Sequence, residues 1–300
     1  MLNAKVLWTV LLAVALGFLT SGVQAAAYSY VGTDGVWNVA DNWSPNTIPG
    51  AGDKASIKNQ LNMTSFNGQS VGEIDATGKI LRLKPATNDT LTMDNNGATA
   101  LIVATIVELG GGAGSVTLAF EDDLTITMGG GKELVMAGTI QGSGTLKLGG
   151  STSYVKSSPA GTFNVGRLDL TDFGYIRFDG AGGASMNGAI VMTGSQAYFK
   201  KNGTSYSGLN GASLEMDNAY ALFNGNISET LTIGSWKVGS TYLPTGTYNA
   251  SSGTVSGVDM GTIFSLATSL NVTVTAVPEP ASMAILALGG LGVLMRKKRA

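Results

Sequence analysis

Cysteine and histidine are both absent from this chain of 300 residues. Without cysteine there is no thiol nucleophile, no thiolate metal ligand and no disulfide. Without histidine there is no imidazole acid or base and no Ser-His-Asp triad. No cofactor and no metal site is therefore expected. Charge is scarce too: Asp, Glu, Lys and Arg make up 13% of the residues, and the formal net charge is −2. A nucleic-acid binder needs a basic face, which this balance disfavours. With no disulfides available, an exported life has to rest on packing and backbone hydrogen bonds.

What the chain has in abundance is glycine, 43 residues, and a rhythm. Leu-x-Leu-like units open at Leu124, Leu146, Leu168 and Ile190, a constant step of about 22 residues. Ile102 and Ile80 fall at the same interval before them, and Leu214 follows after a slightly longer one. Tyr154, Tyr175, Tyr198 and Tyr220 form a second column, and Ile140, Phe163, Met186 and Leu209 a third. Alternation of apolar and variable residues inside each unit is the two-residue period of a strand, and a fixed interval of this length is the mark of a solenoid. Gly, Asn, Ser and Asp clusters between the units supply turns. The fold class expected is all-β, a β-solenoid with coils of about 22 residues, three short strands per coil and a cap at each end. A two-sheet β-sandwich is the alternative, since closely and regularly spaced turn signals also fit one. It gives no reason for three columns in phase.

Residues 1–25 read as a signal peptide: Lys5, an apolar run from Val6 to Leu19, and small residues at Val23 and Ala25 that place cleavage between Ala25 and Ala26. Next come Trp37 and Trp43 in a polar setting rich in Pro and Gly. Two such indoles either stack on a sugar ring or cover the open end of a solenoid, and the cap is the stronger reading. The arrangement from Trp37-Asn38 through Asn42-Trp43-Ser44 to Pro49-Gly50-Ala51-Gly52-Asp53 resembles the opening of secreted autotransporter-associated β-strand repeat proteins. Residues 26–60 are read as this N-terminal cap, 61–226 as the solenoid and 227–276 as a C-terminal β cap. The Leu243-Pro244 to Tyr248 string in that last segment resembles the way such repeat proteins finish.

Some solenoids carry polysaccharide-degrading enzymes, so the outward residues of the first strand matter. They are Thr125, Lys147, Asp169, Val191 and Glu215. Lys147 and Asp169 are expected to be adjacent and able to pair. Asp169 and Glu215, two coils apart, stand near the separation that an inverting glycosidase needs, yet Val191 lies between them and no insertion builds a cleft. They read as surface charges, as do Arg167, Arg177 and Asp179, and the chain is not expected to be an enzyme. Glu121-Asp122-Asp123 reads as a charge group that blunts a strand edge. The Asp94-Asn95-Asn96-Gly97 turn lacks the ligand spacing of a calcium loop.

The end of the chain is its most specific signal. Pro278-Glu279-Pro280 precedes an apolar stretch, and Arg296-Lys297-Lys298-Arg299 closes it. From Ala281 to Met295 a helix spans about 22 Å at about 1.5 Å per residue, short for a hydrocarbon core of about 30 Å. The basic cluster acts as a cytoplasmic stop while the body lies outside. This order resembles the PEP-CTERM sorting signal of Gram-negative bacteria, here over residues 277–300. The resemblance implies recognition by an exosortase, transient anchoring in the inner membrane by a short transmembrane helix, removal of the tail, and release or attachment at the cell surface in organisms that make exopolysaccharide. Loss of both terminal segments removes Lys5, Glu279 and the four basic tail residues, leaving 13 basic against 19 acidic side chains and a net charge of −6. The expected function is that of a structural or adhesive component of the cell surface or biofilm matrix. A carbohydrate-binding surface protein using Trp37, Trp43 or the tyrosine column is the alternative, and a polysaccharide-degrading enzyme the third reading.

Overall fold

The computed structural model describes residues 25–276 apart from 61, 158–160, 179–184, 195–197, 202–205 and 226. The signal-peptide and sorting-tail segments, with their expected helices, lie outside the described residues. The body is a β-solenoid of about eight turns with coils of about 23 residues. Nearly every strand pairs in parallel with a strand of the coil before and the coil after, so the chain climbs one strand spacing per turn. A sandwich has no such pairing, and that alternative is excluded.

Each coil has three faces. On the first, Leu124, Leu146, Leu168, Ile190, Leu214 and Trp236 stand opposite one another in order. On the second, Leu134, Val155, Ile176, Phe199 and Phe223 do the same. On the third, Leu118, Ile140, Phe163 and Met186 align. The inward residues of Leu124–Met128 are buried and Thr125 between them faces out, as the period-two pattern predicts. Burying one such aliphatic side chain contributes about 2 kcal/mol.

The columns are not kept everywhere. Leu124 pairs with Ala100, Ile102 sits opposite Ile126, and Ile80 pairs with Ile106 on the second face. The cause is coil length. Ile102 is the partner of Ile74, and the coil between them is longer than those that follow, so the constant step does not extend backwards. Tyr220 also leaves its column. Phe199 pairs with Phe223, which brings Leu222 beside Tyr198 and buries Tyr220 nearer the core. Leu209 is buried in a short 3-10 turn, Ser207–Leu209, rather than in a strand.

Where the chain turns, backbone N–H groups that leave the ladder need acceptors. Side-chain oxygens of neighbouring coils supply them. Asp123 accepts from the Thr145 N–H at 2.7 Å, Asn88 from Ser115 at 3.0 Å, Asp89 from Asn67 at 3.0 Å and Asn210 from Thr232 at 2.9 Å. The Glu121-Asp122-Asp123 cluster is thus partly a corner brace, with Asp123 also 3.7 Å from Lys147. At this same corner the register slips between Gly142 and Thr145. A Cβ on Gly144 would lie 1.6 Å from the Asp122 carbonyl oxygen. Glycine is required there because two backbones meet at less than a side chain's width.

The two ends of the core are closed by aromatics. Trp37 and Trp43 meet edge to face at 4.8 Å, with Tyr30 and Phe66 against them. At the other end Phe264, which follows the helical turn Met260–Ile263, stacks on Phe223 at 5.7 Å and meets Trp236 edge-on. Glu229–Ile233, Leu270–Val274 and Gly246–Tyr248 form a small separate sheet beside that plug. Among the described residues no helix is long and apolar enough to cross a membrane.

Two outcomes follow for stability. Gly144→Ala is expected to destabilise by about 1–3 kcal/mol, because backbone must shift. Gly149→Ala, whose added carbon meets nothing nearer than 3.9 Å, is expected to be neutral or slightly stabilising; urea unfolding of both variants checks the pair. Near the start of the stack, Lys54 bridges Glu73 at 2.7 Å and Asp75 at 3.0 Å. Hydrogen bonds from the Thr77 hydroxyl, Lys54 and the Thr77 N–H hold the Asp75 carboxyl down at about 2. A depressed carboxyl stabilises the fold above its unfolded value of 3.8, and that contribution disappears as pH falls towards 2. Asp75→Asn is expected to flatten the thermal-stability profile between about pH 4 and pH 2, measured by melting at a series of pH values.

Candidate functional site

The first outward column carries the only two carboxylates nominated as catalytic alternatives. The ladder sets Asp169 opposite Val191 and Val191 opposite Glu215, so the two acids are two rungs apart with an apolar side chain between. Lys147 is the backbone neighbour of Asp169, but their side chains go elsewhere: Lys147 reaches Asp123, and Asp169 takes Arg167 of its own strand at 2.6 Å. The expected Lys147–Asp169 pair is therefore not made. Arginine two residues before Asp169 shares its face and has a shorter reach. Glu215 pairs with Lys237 of the next coil, and that contact raises the lysine's pKa. Both carboxylates are already engaged by cations. The hollow that Glu215 and Lys237 line with Ser213, Ser235 and Tyr242 has a volume of about 220 Å³. Asp179, considered beside Arg167 and Arg177, lies outside the described residues.

Sugar platforms at Trp37 and Trp43 are ruled out by packing. Both indoles are fully buried. Trp43 donates its ring N–H to the Trp37 carbonyl at 2.8 Å, whereas the Trp37 ring N–H has no hydrogen-bond partner. The pair is the lid of the first coil, with no ring face left for a ligand. Close by, Ala25 is exposed, and the Ala26 N–H donates to Asp53 at 3.1 Å. A chain cut between Ala25 and Ala26 presents a charged amine at that carboxylate.

The second face holds the most organised outward surface. Phe199 and its equivalents point in, and the residues on either side of them point out. On one side Tyr154, Tyr175 and Tyr198 align, their rings stacked at 4.7 and 5.1 Å with planes within 24°. On the other side Lys156, Arg177 and Lys200 occupy the same three rungs. The Lys200 ammonium stands 5.1 Å from the Tyr175 ring, a cation–π distance. Burial, helped by a hydrogen bond to Glu133, raises the Tyr154 phenol's pKa; burial and Tyr175 raise that of Tyr198. The tyrosine column was visible in the sequence, but its basic partner was missed. The signal was there: a Lys or Arg two residues after each of the three tyrosines. Among the described residues no group of three or more acidic side chains is placed to hold a metal ion.

Comparison with known proteins adds one finding. Residues 276–299 match the PEP-CTERM protein-sorting motif. That segment contains Pro278, Glu279 and Pro280 and the basic cluster Arg296, Lys297, Lys298 and Arg299, all outside the described residues. The motif marks an exported protein that is sorted and processed by an exosortase, with a membrane-anchored stage before cleavage. No curated protein and no solved structure matches the chain.

The buried indoles yield a discriminating outcome. Trp43→Phe is expected to cost about 1 kcal/mol more than Trp37→Phe, because only the former removes a hydrogen bond and strands a buried carbonyl. Parallel urea denaturation measures the difference.

Proposed function

We propose that the mature chain is a non-enzymatic structural component of the cell surface or extracellular matrix, associated with exopolysaccharide. The observation that carries this reading is the sorting motif over residues 276–299, which addresses the body outward. The body suits such a role: a stack braced by side chains from coil to coil, closed at both ends, and independent of disulfides in an oxidising or reducing exterior. A net charge of −6 after both ends are processed keeps a strand-rich body soluble and resists edge-to-edge association. The inverting-glycosidase alternative loses ground because Asp169 and Glu215 are both ion-paired, with Val191 filling the gap where a catalytic water would stand.

The test compares wild type with a variant carrying Ala at 278, 279 and 280. Wild type is expected in the extracellular polysaccharide fraction, without Arg296 to Ala300 by mass spectrometry, and released when that polysaccharide is digested. The variant is expected to keep its tail and stay with the membrane. Wild type that ignores glycan digestion, or that itself shortens the polysaccharide, overturns the proposal.

A further inference from the structure

We propose that the hollow at the end of the first face binds one uncharged sugar unit of a glycan, through Ser213, Ser235, Glu215, Lys237 and Tyr242. The inference rests on the glycan-associated role above and names where and how the glycan is held.

The hollow arises from the way the first face ends. Leu214 and Trp236 stand on adjacent rungs and point into the core, so the residues on either side of them point out. Ser213 is thereby set beside Ser235, and Glu215 beside Lys237: two hydroxyls on neighbouring rungs, then an ion pair on the same two rungs. One rung earlier the partner of Ser213 is Ala189, whose methyl group leaves room. Beyond Lys237 the chain does not climb to another coil on this face. It folds back, and Thr241–Tyr242 runs antiparallel to Trp236–Val238 with Tyr242 opposite Lys237. The tyrosine, 40% exposed, walls the array at its open end.

Ser235 marks the hollow as more than a dent in the surface. The residue is only 7% exposed, yet its hydroxyl has no hydrogen-bond partner among the described residues. Ser153, the other buried serine, donates to the Gly129 carbonyl at 2.9 Å. The Ser235 hydroxyl instead lines the hollow, where a ligand that enters can pair with it.

The donor set selects the ligand. Each serine hydroxyl both donates and accepts, an ammonium has three donors and a carboxylate two accepting oxygens, so the Glu215–Lys237 pair keeps hydrogen-bonding capacity beyond its own contact. Donors and acceptors thus sit side by side, which suits the neighbouring hydroxyls of a sugar ring, since each of those also does both. Formal charge in the hollow sums to zero. Glu215 opposes an anion and Lys237 a cation, which disfavours phosphates, uronates and amines. Tyr242 adds an aromatic wall against which the C–H groups of a sugar can pack. The Lys237 ammonium, 5.7 Å from that ring, ties the wall to the ion pair. Size then limits the ligand to one unit. The volume of about 220 Å³ equals about seven waters at about 30 Å³ each, the bulk of a single pyranose.

The experiment titrates the mature protein, labelled with ¹⁵N, with the methyl glycosides of glucose, galactose and mannose, and with sodium glucuronate and sodium sulfate as charged comparators. The reporter is the indole N–H resonance of Trp236, which lies between Ser235 and Lys237 in the chain; it is assigned by elimination with the Trp37→Phe and Trp43→Phe proteins. At least one neutral glycoside is expected to shift it with a Kd of about 1 mM. Ser235→Ala is expected to weaken that binding about fivefold to tenfold without lowering the melting temperature, because the hydroxyl it removes has no partner in the fold. Tyr242→Ala is expected to weaken it at least as much. Melting curves check that both variants are folded, and Ser235→Ala alone decides if Tyr242→Ala is not. No shift with any glycoside, equal or tighter binding of glucuronate or sulfate, or unchanged affinity in Ser235→Ala each overturns the proposal. Failure of the underlying reading looks different: wild type then binds a glycoside in solution but is not retained by matrix glycan on cells.

Discussion

The parallel hydrogen-bond ladder between coils is the constraint on which everything else depends. Each rung must sit one strand spacing above the last, so every side chain has a partner from the next coil directly above it. Inward positions are then forced to stack like on like, and Ile176 under Phe199 under Phe223 is a column of this kind. Corners must also fit into one rung height. That requirement explains why a backbone meets Gly144 closely enough to exclude any side chain, and why Asp123, Asn88 and Asn210 commit their oxygens to N–H groups of adjoining coils.

A stack of identical needs has two unsatisfied ends, and both are met by aromatic residues. Trp37 and Trp43 shut the first coil; Phe264 and Trp236 shut the last. The same solution at both ends removes the indoles from any surface role. It also makes the body a unit closed at both ends.

The ladder that builds the core also builds the surface. Outward residues inherit the register, so a residue type repeated once per coil becomes a continuous strip. On the first face this gives mixed charges that neutralise one another, Glu215 with Lys237 and Asp169 with Arg167. On the second it gives a strip of one sign, Lys156, Arg177 and Lys200, beside stacked phenols. Among the described residues the two faces thus differ in how sign runs along the stack.

By itself the sequence determined the fold class, the three-strand coil, the turn chemistry and the sorting address. Each of these is written as a local pattern: period two within strands, a constant step carried from Leu124 through Leu146 and Leu168 to Ile190, and Pro278-Glu279-Pro280 before an apolar stretch. Tertiary structure alone decided which repeated residues meet. Tyr220 and Ile80 share the interval but leave their columns, because coil lengths vary and register follows the ladder instead of the count. It likewise decided that Lys147 turns to Asp123, that the indoles are a lid, and that Lys156, Arg177 and Lys200 form one strip. Those outcomes depend on side-chain reach and on the order of coils in space, and neither can be read from spacing along the chain.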